Sequence, residues 1–212
     1  MKKRTLTHIA FSAALTVLIP ACASIPQPEK QLTSNMSQVY TNLQDTVVQV
    51  DVVDASIDTL ITPNQEPLPS SFKRYSDRVG EMEKLGTKLE KNANAMRSQG
   101  ASYFSGWQSD ESTVSNSQVL GISASRQAEQ RKAFMEVSKN SNEVNRVLQT
   151  YLSDLRDIET YLSNDLTPAG VKAITPVAEQ AKKDGAALQE AIKPMISTLD
   201  RAKSNMDVSS ID

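Results

Sequence analysis

The sequence predicts an all-α protein, an elongated antiparallel helical bundle with coiled-coil-like heptad seams. Apolar residues recur every seven positions through four long segments, and proline-rich or polar stretches separate these segments. Aromatic residues make up only 5% of the chain and glycines number seven, which favours long helices over a turn-rich sheet. Short connections predict four helices that run up, down, up and down. The alternative is three long helices with a short first helix docked at one end.

The first 21 residues have the pattern of a signal peptide. A basic start at residues 1–4 precedes a mostly apolar stretch from Leu6 to Ala21. The end of this stretch, Leu18-Ile19-Pro20-Ala21-Cys22, resembles the lipobox of bacterial lipoprotein precursors. That resemblance implies that Cys22 becomes the first residue of the mature chain and carries acyl chains on its sulfur and its amino group. The alternative is an ordinary secreted protein that is cut nearby and keeps a free thiol.

Charge and the residue after the cysteine refine the predicted location. Loss of residues 1–21 would leave 20 of the 23 basic residues against all 25 acidic ones, a net charge of −5. Such a chain is a poor nucleic-acid binder, and it would be held at a membrane by lipid rather than by a basic surface. By resemblance to known lipoproteins, Ala23 rather than Asp implies the outer membrane. We therefore expect a lipid-anchored protein on the periplasmic side of the cell envelope.

The first half of the mature chain is predicted to contain a tether and two helices. Residues 22–31 contain two prolines and no apolar period, so they are expected to link the anchor to a bundle over residues 32–206. Residues 33–61 form the first helix, with Met36, Leu43, Val50 and Ile57 on one heptad row. Three prolines between residues 62 and 69 end it. The second helix, 71–108, carries the small residues Gly86, Ala93 and Gly100 on its row, which pack closely or leave an apolar cavity.

The second half of the mature chain is predicted to contain two more helices. The third follows a polar stretch at residues 109–117 and runs to about residue 163, but its seam is polar at Ser123, Gln127 and Gln130. Thr167-Pro168 has the pattern of a helix start, and Asp165 is expected to fasten that turn. The fourth helix runs to about residue 205, and its two internal prolines predict a kink or a separate first turn. Residues 207–212 are expected to form a flexible tail.

Few residues offer reactive chemistry. His8 and Cys22 are the only histidine and cysteine, so a histidine-based catalytic site or a zinc cluster within one chain is excluded. Ser70-Ser71-Phe72-Lys73 matches the Ser-x-x-Lys pattern of penicillin-binding enzymes, but the companion motifs are missing and a serine at a helix start is more simply a cap. We predict no catalytic, metal or cofactor residues.

Acidic residues occur in two groups. Asp51, Asp54 and Asp58 form a row on the first helix, and Asp154, Asp157 and Asp165 lie near the end of the third. Paired carboxylates can bind a divalent cation or perform acid-base catalysis, but no di-iron or EF-hand pattern accompanies them. Solvated faces and helix ends are the preferred interpretation.

Three aromatic residues near the end of the second helix define a candidate contact site. In an up-down bundle anchored at its first residue, Tyr103, Phe104 and Trp107 return to the membrane end. They are candidates for contact with lipid or with a membrane partner, since Trp and Tyr favour membrane interfaces. The preferred alternative is that Tyr103 and Trp107 cap the core on their own heptad rows, because helically spaced aromatics usually pack inward.

Several stretches resemble a family of bacterial envelope proteins, domain of unknown function number twenty-nine fifty-nine. They are residues 96–107, Ser125-Arg126, residues 152–158 and residues 162–171, and together they span most of the mature chain. The resemblance implies a secreted, helical and often lipid-anchored protein. It supplies no activity, ligand or catalytic residue.

These observations predict a non-enzymatic, lipid-anchored helical protein that acts as a scaffold, spacer or adaptor in the envelope. Its expected partners are the membrane, through the acyl chains, and an unidentified envelope protein, with no nucleic acid and no cofactor. The alternative is a carrier that binds an apolar ligand or a lipid between its helices. A hydrolase that uses Ser70 and Lys73 is the least favoured possibility.

Overall fold

The computed structural model describes residues 28–62 and 66–206, and within them the chain forms four α-helices and no strand. The helices are α1 (Pro28–Ile61), α2 (Leu68–Glu111), α3 (Ser117–Asn164) and α4 (Pro168–Met206). The predicted all-α bundle is confirmed. The predicted signal peptide, the lipid-anchor residue Cys22 and the tail at 207–212 lie outside the described residues.

The four helices surround one core in the order α1, α2, α3, α4. Each helix packs against the next one along the chain, and α4 also packs against α1, so the ring is closed. The α1–α2 and α3–α4 pairs are the most extensively packed, and α2–α3 is the loosest of the four neighbouring pairs. Even the shortest helix, α1, has 34 residues and is buried from Leu32 to Leu60. The bundle therefore contains four long helices rather than three long helices and a short one.

Helix α1 begins at Pro28, several residues before its predicted start. The predicted tether over residues 22–31 is wrong at its end, because residues 28–31 are helical. Proline is compatible with the first turn of a helix, where its missing N–H would have no partner. Glu29 lies in that turn and complements the helix dipole. Leu32 is fully buried and holds the turn against the core.

The predicted heptad rows form the core, with one shift in α2. The α1 row and the two rows of α4 are buried almost throughout. Near the end of α2, however, Phe104 is buried at 5% exposure, whereas Trp107 is only partly buried. A straight α-helix has 3.6 residues per turn, so a strict seven-residue row drifts away from the core as it lengthens.

Helix α4 is continuous through its two internal prolines. Pro176 and Pro194 both lie inside the 39-residue helix, so neither one separates a first turn from the rest. One turn after Pro194, Thr198 Oγ1 donates a hydrogen bond to the carbonyl oxygen of Pro194 at 2.7 Å. Asn140 Nδ2 of α3 donates to Thr198 Oγ1 at 2.9 Å, which ties this part of α4 to its neighbour.

The turn between α3 and α4 is fastened by its own side chains, as predicted. Thr167 Oγ1 accepts a hydrogen bond from Gly170 N at 3.0 Å and donates one to Asp165 Oδ1 at 2.8 Å. Gly170 packs so closely on Asp165 that a Cβ atom at this position would lie 2.8 Å from the carboxyl carbon. The turn thus requires a capping hydroxyl, a carboxylate and a residue without a side chain.

Helices α2 and α3 extend beyond the other two at the end of the bundle where α1 begins. Gln99 of α2 contacts Gln31 of α1, and Gln130 of α3 contacts the carbonyl of Asn205 in α4. The residues of α2 beyond this level and those of α3 before it therefore project past Pro28 and Met206. We call residues 105–127 the hairpin extension. Its polar seam, which includes Ser123 and Gln127, has no α1 or α4 segment to pack against.

Candidate functional site

The predicted lipid-anchor residue lies six residues before the first described one. Cys22 and Pro28 are therefore separated by at most ~20 Å along an extended chain. None of the helices within residues 28–62 and 66–206 contains a stretch long and apolar enough to cross a bilayer. The start of α1, the hairpin extension and the end of α4 lie at the same end of the bundle.

The three candidate aromatic residues pack between α2 and α3. Phe104 is buried and meets Phe134 edge-on, with ring centroids 5.8 Å apart. The Arg131 guanidinium lies 5.0 Å from the centre of the Phe104 ring. It also donates a hydrogen bond to the backbone carbonyl oxygen of Phe104 at 3.2 Å. Phe104 is a core residue and is not available as a surface contact.

Tyr103 and Trp107 are partly buried, and each binds a polar residue of α3. The Tyr103 hydroxyl donates to Gln130 Oε1 at 3.0 Å, and Trp107 Nε1 donates to Ser123 Oγ at 2.8 Å. The two rings also meet edge-on at 5.8 Å. This packing supports the interpretation that the aromatic residues close the end of the core. It also accounts for Ser123 and Gln130 in the polar α3 seam, which supply the acceptors for these two side chains, whereas Gln127 Nε2 is buried without a partner.

The Ser-x-x-Lys sequence does not form a serine–lysine pair. Ser70 is exposed in the first turn of α2, and its backbone N–H donates to Pro67 O at 2.9 Å. Lys73 Nζ instead contacts Asp77 Oδ2 at 2.7 Å, one turn further along the helix. The lysine is thus held on the solvent face by a carboxylate, away from the serine that it would need to deprotonate.

The acidic row of α1 is divided among three different partners. Asp51 accepts from Gln189 at 2.8 Å, Asp54 accepts from the Tyr151 hydroxyl at 3.4 Å, and Asp58 pairs with Lys182 at 2.6 Å. Within the part of the chain that the structure describes, no group of three or more His, Cys, Asp or Glu residues is arranged to hold a metal ion. The row fastens α1 to α4 and to Tyr151.

One layer of the bundle brings together groups that the sequence did not connect. Tyr151 of α3 is fully buried and crosses the core towards α1, and its ring lies 3.2 Å from where a Cβ atom on Gly185 would be. Because burial disfavours its charged form, the pKa of Asp54 rises to about 6, although the hydrogen bond from Tyr151 opposes this shift. Burial raises the pKa of the Tyr151 hydroxyl well above its usual value, and the nearby Asp54 carboxylate adds to the shift.

Asp154 and Asp184 form a carboxyl pair in the same layer. Asp154 lies on α3 and Asp184 on α4, and their carboxyl groups lie close enough for each to affect the other's protonation. Burial, together with the neighbouring Asp184 and Asp157 carboxyl groups, raises the pKa of Asp154 to about 6. Asp154 was predicted to be a solvated acidic residue near a helix end. Its partner comes from a distant part of the chain, and only the packing of α3 on α4 brings the two together.

Most of the small residues on the seams are matched by large neighbours. Phe134 fills the space over Gly100, Tyr151 fills that over Gly185, and Leu148 and Leu152 cover Gly86. Close packing is therefore the outcome at these three glycines.

Ala93 is different, because it borders a small cavity of about 30 Å³, which has room for about one or two water molecules. The apolar walls are Val39, Leu43, Leu89, Ala93, Val144 and Met195. The polar rim includes Arg97, which donates to the neutral acceptors Ser141, Asn142 and Asn94. Asn145 Oδ1 is also at this rim, and it is buried without a hydrogen-bond partner.

Comparisons with known proteins do not assign the chain to a family. No protein-family model, curated protein or solved structure matches the chain. Membership of the envelope family named above therefore remains a prediction that rests on the sequence stretches quoted for it.

Proposed function

We propose that this protein is a lipid-anchored helical rod on the periplasmic side of the outer membrane, where it acts as a scaffold, spacer or adaptor. The observation that carries the proposal is the position of the bundle relative to Cys22. Helix α1 starts only six residues after that cysteine, so acyl chains on Cys22 would attach one end of the bundle directly to a membrane.

The dimensions of the bundle support a spacer. Helix α3 has 48 residues and is therefore ~72 Å long, and the described loops lie at its two ends. The end formed by residue 62, residues 66–67 and residues 165–167 would stand furthest from the membrane. The fastened turn at Asp165 and Thr167 gives that end a defined surface on which a partner can bind.

The chemistry of the site supports a binding role rather than catalysis. Lys73 is paired with Asp77, and the Asp51, Asp54 and Asp58 carboxylates bind side chains of neighbouring helices. The three α1 carboxylates help to hold the bundle together, and Lys73 is paired with a carboxylate on the solvent face of its own helix. The sole histidine, His8, would leave with the signal peptide.

In-cell photocrosslinking tests the adaptor role. A photoreactive amino acid at Ser163, which is exposed beside the far turn, should capture a discrete envelope protein. The same amino acid at Val48, which is 62% exposed on the side of the rod, is the matched control and should capture none. Equal yields of diffuse products from both positions, or no product from Ser163, would contradict a binding role for the far end.

The second candidate is the carrier, in which the helices would part at the small cavity beside Ala93, because its present volume of about 30 Å³ is too small for an acyl chain. Its walls are apolar, and its lining also includes the charged residues Arg97 and Glu90, which suits an apolar molecule with a polar head. Addition of a medium-chain fatty acid to delipidated protein should then raise its Tm. Substitution Ala93→Met, which fills the cavity, should abolish this rise, whereas Ala101→Met on the exposed face of the same helix should preserve it. The absence of any rise in the unsubstituted protein would eliminate the carrier.

A further inference from the structure

We infer that the tip of the hairpin extension rests in the interface of the membrane that holds the lipid anchor, with Val119 and Ile122 as the inserted side chains. This inference rests on the proposed lipid anchor at Cys22. It replaces the aromatic contact predicted from the sequence, because Phe104 is buried and Tyr103 and Trp107 are bound to α3.

The lengths of the extension and of the tether place the tip at the membrane. Gln31 lies beside Gln99, so Pro28 lies at the level of residue 102, and Glu111 projects ~14 Å past it. The segment from Cys22 to Pro28 can span at most ~20 Å. The projection of the tip past Pro28 is thus comparable to this span, and only a tether extended beyond ~14 Å along the rod axis would hold the tip clear of the headgroups.

The surface of the tip is suited to apolar rather than electrostatic contact. Val119 and Ile122 are 48% and 66% exposed, and their spacing of three residues places them on one face of α3. Residues 98–125 contain no Lys or Arg and only two acidic residues, Asp110 and Glu111. Scattered exposed apolar residues are normal on a protein surface, but these two lie at the one end of the rod that the anchor brings to lipid.

The aromatic residues give the extension the rigidity that this contact needs. Beyond Pro28 and Met206 the extension has no α1 or α4 segment beside it, so α2 and α3 must hold each other. The Trp107–Ser123 hydrogen bond joins the two helices within the extension, and the Tyr103–Gln130 hydrogen bond joins them at its base. The Asn116 side chain also accepts from the N–H groups of Gln118 and Val119 and caps the start of α3. Val119 and Ile122 are thus presented on a defined helical turn.

Labelling of the intact, lipidated protein tests the inference. Cys22 is the only cysteine and its sulfur is acylated in the proposed form, so a cysteine introduced by Ile122→Cys can be labelled selectively with an environment-sensitive fluorophore. On phosphatidylethanolamine–phosphatidylglycerol vesicles, the emission at position 122 should shift to the blue and resist quenching by iodide. Label introduced by Val48→Cys, at a similarly exposed position in the middle of the rod, should show neither change.

A second set of variants separates the apolar contact from mere proximity. With the label introduced by Ser115→Cys in the loop of the tip, the double substitution Val119→Asp and Ile122→Asp should restore iodide quenching on vesicles. Val48→Asp, added instead, should leave the protection intact. Both changes replace exposed side chains, so the thermal unfolding of the bundle serves as the folding control.

Two results would overturn the inference in different ways. If the protein sediments with vesicles while label at position 122 stays as accessible to iodide as it is in solution, the tip contact is wrong and the anchor stands. If the purified protein carries no acyl chain on Cys22 and does not sediment, the proposed function fails and the tip contact fails with it. Sedimentation and the mass of the N-terminal peptide distinguish the two cases.

Discussion

The ring of Phe134 lies directly over Gly100, so that a Cβ atom on this glycine would be 2.7 Å from Phe134 Cε2. This contact closes the gap between α2 and α3 at the base of the hairpin extension, next to the buried Phe104. The missing side chain on one helix and the large ring on the other are therefore parts of one packing unit.

Gly100→Ala should destabilise the bundle even though alanine is the better helix former. The new methyl group forces the Phe134 ring out of its place, at a cost of ~2 kcal/mol, which exceeds the ~1 kcal/mol that alanine contributes through helix propensity. Gly80→Ala is the matched control, because nothing lies within 4 Å of a Cβ atom there, and it should raise the free energy of unfolding. Denaturant unfolding would measure both, and a stabilised Gly100→Ala protein would contradict the packing described.

The turn between α3 and α4 should depend on the hydroxyl of Thr167. Thr167→Ala removes the acceptor for Gly170 N and the donor to Asp165, and the loss of a helix N-cap costs ~1 kcal/mol. Thr167→Ser retains the hydroxyl and should recover most of this loss in the same unfolding measurement. If alanine and serine gave equal stability at this position, the turn would not be held by its cap.

The stability of the bundle should fall as the pH rises from 4 to about 7. Asp54 and Asp154 both have a pKa of about 6 in the folded chain, above the ordinary value of 3.8, so the folded state binds their protons more tightly than the unfolded state does. Stability is then greatest below the unfolded pKa and declines through the folded one. Because Asp54 is partly exposed, its share is ~1 kcal/mol rather than the full value of the shift.

Two substitutions at this layer should change the pH dependence in opposite directions. Asp54→Asn keeps an acceptor for Tyr151 and removes the ionisable group, so unfolding should vary less between pH 4 and 7. Tyr151→Phe removes the hydrogen bond that opposes the shift, so the pKa of Asp54 should rise further and the variation should steepen. Denaturant unfolding across this range would measure both, and unchanged curves for both proteins would contradict the assignment of the pH effect to Asp54.

The hairpin extension should loosen independently of the rest of the bundle. Trp107→Ala removes the hydrogen bond to Ser123 in a region that α1 and α4 do not reach, so amide exchange within residues 105–127 should accelerate while the Tm changes little. Phe104→Ala opens the core itself and should lower the free energy of unfolding by ~3 kcal/mol. Similar global losses for both substitutions would show that the extension unfolds together with the bundle.

The heptad spacing of apolar residues is enough to predict the four-helix architecture. It is not enough to predict where α1 begins or which residue is buried at the end of α2. The heptad row through Met36 and Val50 correctly predicts the buried face of α1. The predicted start of α1 is too late, because the two prolines within residues 22–31 have the pattern of helix breakers. Proline breaks a helix in its interior but is acceptable in its first turn. A strict seven-residue repeat in α2 predicts Trp107 as the last buried residue of its row. Because the helix has 3.6 residues per turn, Phe104 is buried there instead.

The polar layer could be anticipated only in part. A tyrosine on an apolar seam needs a partner for its hydroxyl, and a glycine on a facing seam leaves room for its ring. The packing of Tyr151 over Gly185 could therefore have been suspected from the sequence. The pairing of Asp154 with Asp184 carried none, because it depends on the register between α3 and α4. Sequence periodicity gives the face of each helix but does not fix how far one helix slides along the next.

Mass spectrometry of the N-terminal peptide, taken from protein isolated from the envelope, tests the central claim most directly. A rod anchored at its first residue predicts a peptide that begins at Cys22 and carries acyl chains on both the sulfur and the amino group. A peptide that begins elsewhere, or a Cys22 with a free thiol, would contradict the lipid-anchored rod.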